Sequence, residues 1–139
     1  MTTNVRDSIS HVLAADSRWS VTVSLDETDT VLFVDDADYQ KILSFRDGVF
    51  MFAGDSQKID NWKFAMALAN NYPAAVNWES LPTTGLTISC VEKLSGNVRF
   101  EINHSISLDA CSFAGSGASH AANCWAINRD AVTAVCTAI

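Results

Sequence analysis

The stretch from Tyr39 to Asn71 constrains the fold most. Two apolar runs, Tyr39 to Phe45 and Val49 to Ala53, flank Arg46-Asp47-Gly48. An Asp-Gly pair between such runs marks a tight β-hairpin, because the turn needs residues that tolerate a left-handed backbone. Gly54-Asp55-Ser56 follows at once, and Asp55 or Ser56 can cap a helix by accepting from its first unbonded amides. From Ser56 to Asn71, Ile59, Trp62, Met66 and Ala69 recur at steps of three and four, which is one stripe of an α-helix. Asn70-Asn71-Tyr72-Pro73 then stops the helix. A hairpin feeding straight into an amphipathic helix must bury one face of each, so an antiparallel sheet covered by a helix is expected.

The rest of the chain repeats the hairpin theme. Thr2 to Arg6 and Ile9 to Ala15 flank an Asp7-Ser8 turn, and Trp19 to Leu25 and Thr30 to Val34 flank Asp26-Glu27-Thr28-Asp29. Thr84 to Leu94 and Val98 to Ile102 flank Ser95-Gly96-Asn97. Ile106 to Ala114 reads as one further strand, ending at Gly115-Ser116-Gly117. Ser119 to Ile127 reads as a helix, as does Ala131 to Ile139 behind Asp130, although Val132, Thr133, Val135 and Thr137 are poor helix formers. Ala74 to Pro82 carries no readable pattern. Hairpin strands with segregated helices define an α+β fold, antiparallel sheets flanked by helices, in one domain over 1–139. Gly115-Ser116-Gly117 lacks the third glycine of a dinucleotide fingerprint and is not a Gly-x-Ser-x-Gly elbow.

Composition narrows the function classes. At 139 residues the chain can bury about two-thirds of its unfolded surface. There is no run of 18 apolar residues, and Met1 to Asp7 has no apolar core, so neither a transmembrane helix nor a signal peptide is expected. Sixteen acids against nine bases give a net charge of −7. Such a surface repels phosphate backbones and argues against a nucleic-acid partner, while it suits a basic protein. Asp35, Asp36 and Asp38 form the densest acidic cluster and are the candidate contacts for such a partner. Cys90, Cys111, Cys124 and Cys136 show no CxxC spacing and are expected as reduced, buried thiols of a cytoplasmic protein. His11, His104 and His120 add no ligand spacing, so neither metal nor cofactor is expected.

Four features sit at element ends, where sites are built. Thr2 follows Met1; removal of Met1 would give an N-terminal threonine with a nucleophilic hydroxyl and an α-amine of pKa about 7.7–8.0. Asp16 ends a strand that runs antiparallel to that of Thr2. Lys41 lies within an apolar strand; buried beside Asp16 it would stay charged and lower the hydroxyl's pKa. Gly115-Ser116-Gly117 is a strand-to-helix turn whose bare amides can hold an oxyanion. Each also has a plain explanation: a common Met-Thr start, a strand-ending aspartate, an edge lysine that blocks aggregation, a helix cap.

In order, Thr2-Thr3, Ala14-Ala15-Asp16-Ser17-Arg18, Lys41-Ile42, Phe52-Ala53-Gly54-Asp55 and Gly115-Ser116-Gly117-Ala118 resemble the N-terminal-nucleophile hydrolases of the proteasome β-subunit and bacterial HslV type. The resemblance runs from Thr2 to about Ala126. It implies a four-layer αββα sandwich, assembly of copies into a ring, and a peptide or protein substrate. It also implies Thr2 as nucleophile, Asp16, Lys41 and Ser116 as its supporting residues, and Gly115 and Gly117 at the oxyanion. The interval from Asp16 to Lys41 is longer than the family's, in keeping with the hairpin around Asp26 to Asp29. The family's late strands have no counterpart, so the expected sandwich is truncated at the C-terminus. The alternative is a catalytically silent module of the same fold, such as an acidic immunity or inhibitor protein neutralising a basic protein toxin.

Overall fold

The structure, a computed structural model, describes residues 3–25, 27–35, 39–103 and 106–138. Among them are ten strands and three α-helices. A first sheet pairs β1 (Asn4–Asp7), β2 (Val12–Ala15), β9 (Ile106–Leu108) and β10 (Cys111–Ala114) in the order β2-β1-β10-β9. A second pairs β5 (Ile42–Phe45), β6 (Gly48–Gly54), β7 (Leu86–Glu92) and β8 (Val98–Ile102) in chain order. Every pairing is antiparallel. β3 (Arg18–Leu25) and β4 (Thr28–Asp35) pair with each other as a two-stranded ribbon. The helices are α1 (Ser56–Asn71), α2 (Ala118–Asn128) and α3 (Ala131–Ala138). The fold is therefore α+β, built from antiparallel sheets and helices.

Strand alternation divides the molecule into layers. Val5 and Phe113 point from the first sheet into a core with Ala118, Ala121, Trp125, Ala134 and Val135 of α2 and α3. The small residues let those two helices lie close to the sheet, and Trp125 fills the remaining depth, edge-on to Phe113 at 6.0 Å. On the second sheet Phe52, Leu86 and Ile88 meet Ile59, Trp62 and Met66 of α1. Burial of each large side chain is worth about 1.5–3 kcal/mol. The layer order is α2/α3, first sheet, second sheet, α1.

Polar side chains bond across the layer between the sheets, among buried apolar ones such as Met51 and Ala53. Asn4 donates through Nδ2 to the Phe52 carbonyl (2.6 Å). Arg6 faces Glu101 at 3.6 Å, and Glu101 also accepts from Ser89 (3.1 Å) and Ser112 (3.4 Å). Apolar periodicity reports which face avoids the helices' solvent side, and it gives no sign of this pairing across sheets.

Several elements differ from the sequence reading. Ile106 to Ala114 is a hairpin, not one strand: Asp109 adopts a left-handed backbone (φ 54°) and turns β9 into β10. The second strand starts at Val12 rather than Ile9, because the Asp7 carboxylate accepts from Ile9 and Ser10 and holds them in the turn. Lys41 lies just before β5, not inside it, although its carbonyl still accepts from Phe52 (2.8 Å). Ala74 to Pro82 contains two short 3-10 turns, Pro73–Ala75 at its start and Trp78–Ser80. All four cysteines are free thiols, but Cys136 is exposed and Cys124 half-buried. α3 presents Ala131, Ala134, Val135 and Ala138 to the core and turns Cys136 outward. The helical start is as read: Asp55 caps α1, accepting from Gln57 and Lys58.

Candidate active site

The site lies where the first strand of one sheet meets the entry to the other. Thr3 precedes β1 and is fully buried. Its amide donates to Asp16 Oδ1 at 3.1 Å, and its carbonyl accepts from the Asp16 amide at 3.1 Å. Asp16 continues the β2 ladder by one residue, so its carboxylate is held at a fixed height beside Thr3. Lys41 enters from the opposite sheet. Its ammonium donates to Asp16 Oδ1 at 2.6 Å and to the Arg18 carbonyl at 2.5 Å. Both side chains are 1 % exposed.

Burial pulls the Lys41 pKa below its ordinary value, and the bond and charge of Asp16 only partly restore it. The ammonium is therefore held by its partner rather than by solvent. Such a lysine yields its proton more readily than one at the surface. Asp16 Oδ1 serves two donors, while Oδ2 is buried without a hydrogen-bond partner among the described residues. A cleft of about 320 Å³ opens here, lined by Asp16, Ser17, Tyr39, Gln40, Lys41 and Ile42 among others.

The turn at residues 115–117 reaches the same place from behind. Gly115 has φ +94°, Ser116 is exposed and Gly117 is buried at the N-cap of α2. A Cβ on Gly117 would overlap Thr3 Oγ1 and lie 3.3 Å from the Ala138 Cβ. Glycine is needed at 117 because the Thr3 side chain occupies the space a larger residue would take.

The structure thus joins Asp16 and Lys41 directly, and Gly117 packs against Thr3, whose amide bonds Asp16, with Gly115 and Ser116 in the same turn. Thr2, Asp36 and Asp38 lie outside the described residues, and Asp35 ends β4 in register with Arg18. Thr3 was not singled out from sequence. Its hydroxyl is buried with no hydrogen-bond partner among the described residues. The sequence signal was its place beside Thr2 at the head of a strand. The Tyr39 hydroxyl is likewise buried and without a hydrogen-bond partner there. Burial, followed by the charges of Asp60 and Asp55, pushes its pKa up to about 12, and Lys63 Nζ sits 4.3 Å from the ring centre.

No family model matches the chain, and no curated protein matches it. Among solved structures, the BPH of Thiobacillus denitrificans in complex with epoxomicin is similar, at 12 % identity and a TM-score of 0.39. The match covers 99 % of this chain and 86 % of that one. No helix among the described residues is long and apolar enough to cross a membrane.

Proposed function

We propose that the chain is a threonine-type N-terminal-nucleophile amidohydrolase or peptidase, with Thr2 as nucleophile after loss of Met1. The supporting observation is the buried Lys41–Asp16 pair bonded to the Thr3 amide, the nitrogen to which Thr2 is covalently joined. Thr2 Oγ1 attacks the substrate carbonyl carbon, and its proton passes to the free α-amine, whose pKa is about 7.7–8.0. The Lys41 ammonium stabilises the developing alkoxide, and Asp16 fixes the lysine's direction. Amides of the Gly115-Ser116-Gly117 turn, at the N-terminus of α2, receive the negative oxygen of the tetrahedral intermediate. The leaving amine takes the proton from the α-amine, and water then hydrolyses the ester on Thr2.

Intact mass and a peptide epoxyketone test the reading together, since that electrophile needs the hydroxyl and the amine of one residue. A chain lacking Met1 should gain the mass of one inhibitor. Thr2→Ala should gain none while keeping its fold, and Lys41→Met should label slowly. A folded, Met1-free chain that takes up no inhibitor rejects the reading.

A further inference from the structure

The β3–β4 ribbon belongs to neither sheet. Each strand has eight residues, so at about 3.3 Å per residue it extends about 25 Å. Among the described residues each strand pairs only with the other, which leaves both outer edges open. A lone two-stranded ribbon is marginal in water, and open edges accept further strands. Val31 and Leu32, adjacent on β4 and so on opposite faces, are 50 % and 51 % exposed. Both faces of the ribbon therefore meet solvent at mid-strand.

The ribbon is also where the chain's charge is concentrated. From Arg18 to Asp35 there is one base, Arg18, against four acids: Asp26, Glu27, Asp29 and Asp35. One positive and four negative groups leave −3 of the chain's −7. Glu27 and Asp29 are exposed at its tip. Its base is the cleft: β3 leaves from Asp16-Ser17, and the chain returns through Tyr39 to Lys41.

We propose that β4 is a docking rail for a basic, extended polypeptide, which adds to its open edge as a third strand and is led along it to the cleft at Asp16 and Lys41. Backbone hydrogen bonds supply the pairing, Val31 and Leu32 supply apolar contact, and the acids select cations at alternate positions of the incoming strand. A second copy of this chain, carrying the same −3 ribbon, would repel itself there. Docking needs only the edge and the charges. That the rail feeds a cleavage site rests on the proposed hydrolase reading.

The test uses the intact Thr2→Ala chain, so that binding is read without turnover. The probe is a fluorescent Lys-Thr-Val-Thr-Lys-Thr-Val-Thr-Lys amide, followed by anisotropy. It should bind, and more weakly as salt rises from about 50 to about 300 mM. The same peptide N-methylated on alternate amides keeps its charge but cannot form a ladder, and should bind at least about tenfold more weakly. Glu27→Lys/Asp29→Lys should weaken the parent peptide by at least about tenfold with unchanged far-UV circular dichroism. Equal binding of the methylated peptide would reduce the effect to charge alone and overturn the proposal, as would no binding of the parent. A concentration-dependent dimer relieved by blocking the β4 edge would assign it to a second copy and also overturn it. Docking without inhibitor labelling of the Met1-free wild type would sink the hydrolase reading and leave the rail standing; labelling without docking would do the reverse.

Discussion

Gly117→Ala carries the sharpest quantitative consequence of the site's packing. Gly117 has φ −91°, which alanine adopts without strain. On backbone entropy alone the change would stabilise by about 0.4–1 kcal/mol. The new methyl, however, overlaps Thr3 Oγ1, and Thr3 is fully buried with its Cβ 3.3 Å from the same point. Overpacking of this kind costs about 1–3 kcal/mol. The net expectation is a loss of about 1–2 kcal/mol, since the clash outweighs the entropy. Thr3→Ala removes the overlapping oxygen, which has no hydrogen-bond partner to leave behind among the described residues. In that background Gly117→Ala should be neutral or slightly stabilising. Urea unfolding of the four proteins gives the coupling, provided the m-values agree. A coupling of at least about 1 kcal/mol is expected for groups in contact. Equal losses in both backgrounds, within about 0.3 kcal/mol, would refute the packing of Thr3 against this turn.

Lys41→Met should cost about 3–5 kcal/mol, because it leaves the Asp16 carboxylate buried without its cation, and adding Asp16→Asn should recover most of it in the same unfolding assay. For Asp7, burial pushes the carboxyl up, but N–H donors from Ser10, Trp125 and Ile9 outweigh it and hold the pKa below the ordinary value. That stabilisation is present above the unfolded pKa of about 3.9 and lost as pH falls through the folded value, so the stability gap between wild type and Asp7→Asn should be full above about pH 5 and close under acid. Trp62→Ala should cost about 3–5 kcal/mol by denaturation, since the indole is 6 % exposed and donates to the Pro82 carbonyl at 2.7 Å; a near-neutral result would contradict the α1 layer.

Legibility in the sequence followed the physics of each signal. α1 could be read to its ends because periodicity, the Asp55 cap and the Pro73 stop agree. The hairpin there is equally plain, although its turn is Arg46-Asp47, with Arg46 left-handed (φ 54°) and Gly48 already in β6, paired to Phe45. The turn at Asp109 is not legible, because a single left-handed residue inside a β-rich run leaves no mark on hydrophobicity. α3 forms although its β-branched residues disfavour a helix, because Ala131, Ala134, Val135 and Ala138 pack inward and packing outweighs propensity. The nearness of Asp16 and Lys41 was suggested by motif order, but the shared oxygen was not. Sequence spacing says nothing of where a ribbon such as β3–β4 leaves and rejoins the body. Thr3 carries no sequence signal of its own, because an interior threonine beside Thr2 has neither a free amine nor a distinctive spacing.

The polar bonds that cross the middle layer fix how the two sheets sit on each other. Each sheet buries its largest side chains against its own helices, and hydrogen bonds and ion pairs tie the two halves along the seam between them. Asn4 to Phe52, Arg6 to Glu101 and Lys41 to Asp16 act as rivets across it. Rivets of this kind act through direction and distance, which apolar packing alone does not specify. Since one rivet is also the heart of the cleft, assembly of the site and registration of the halves are the same event. A molecule lodged over Asp16 and Lys41 would touch both halves at once, so its binding would favour the registered state.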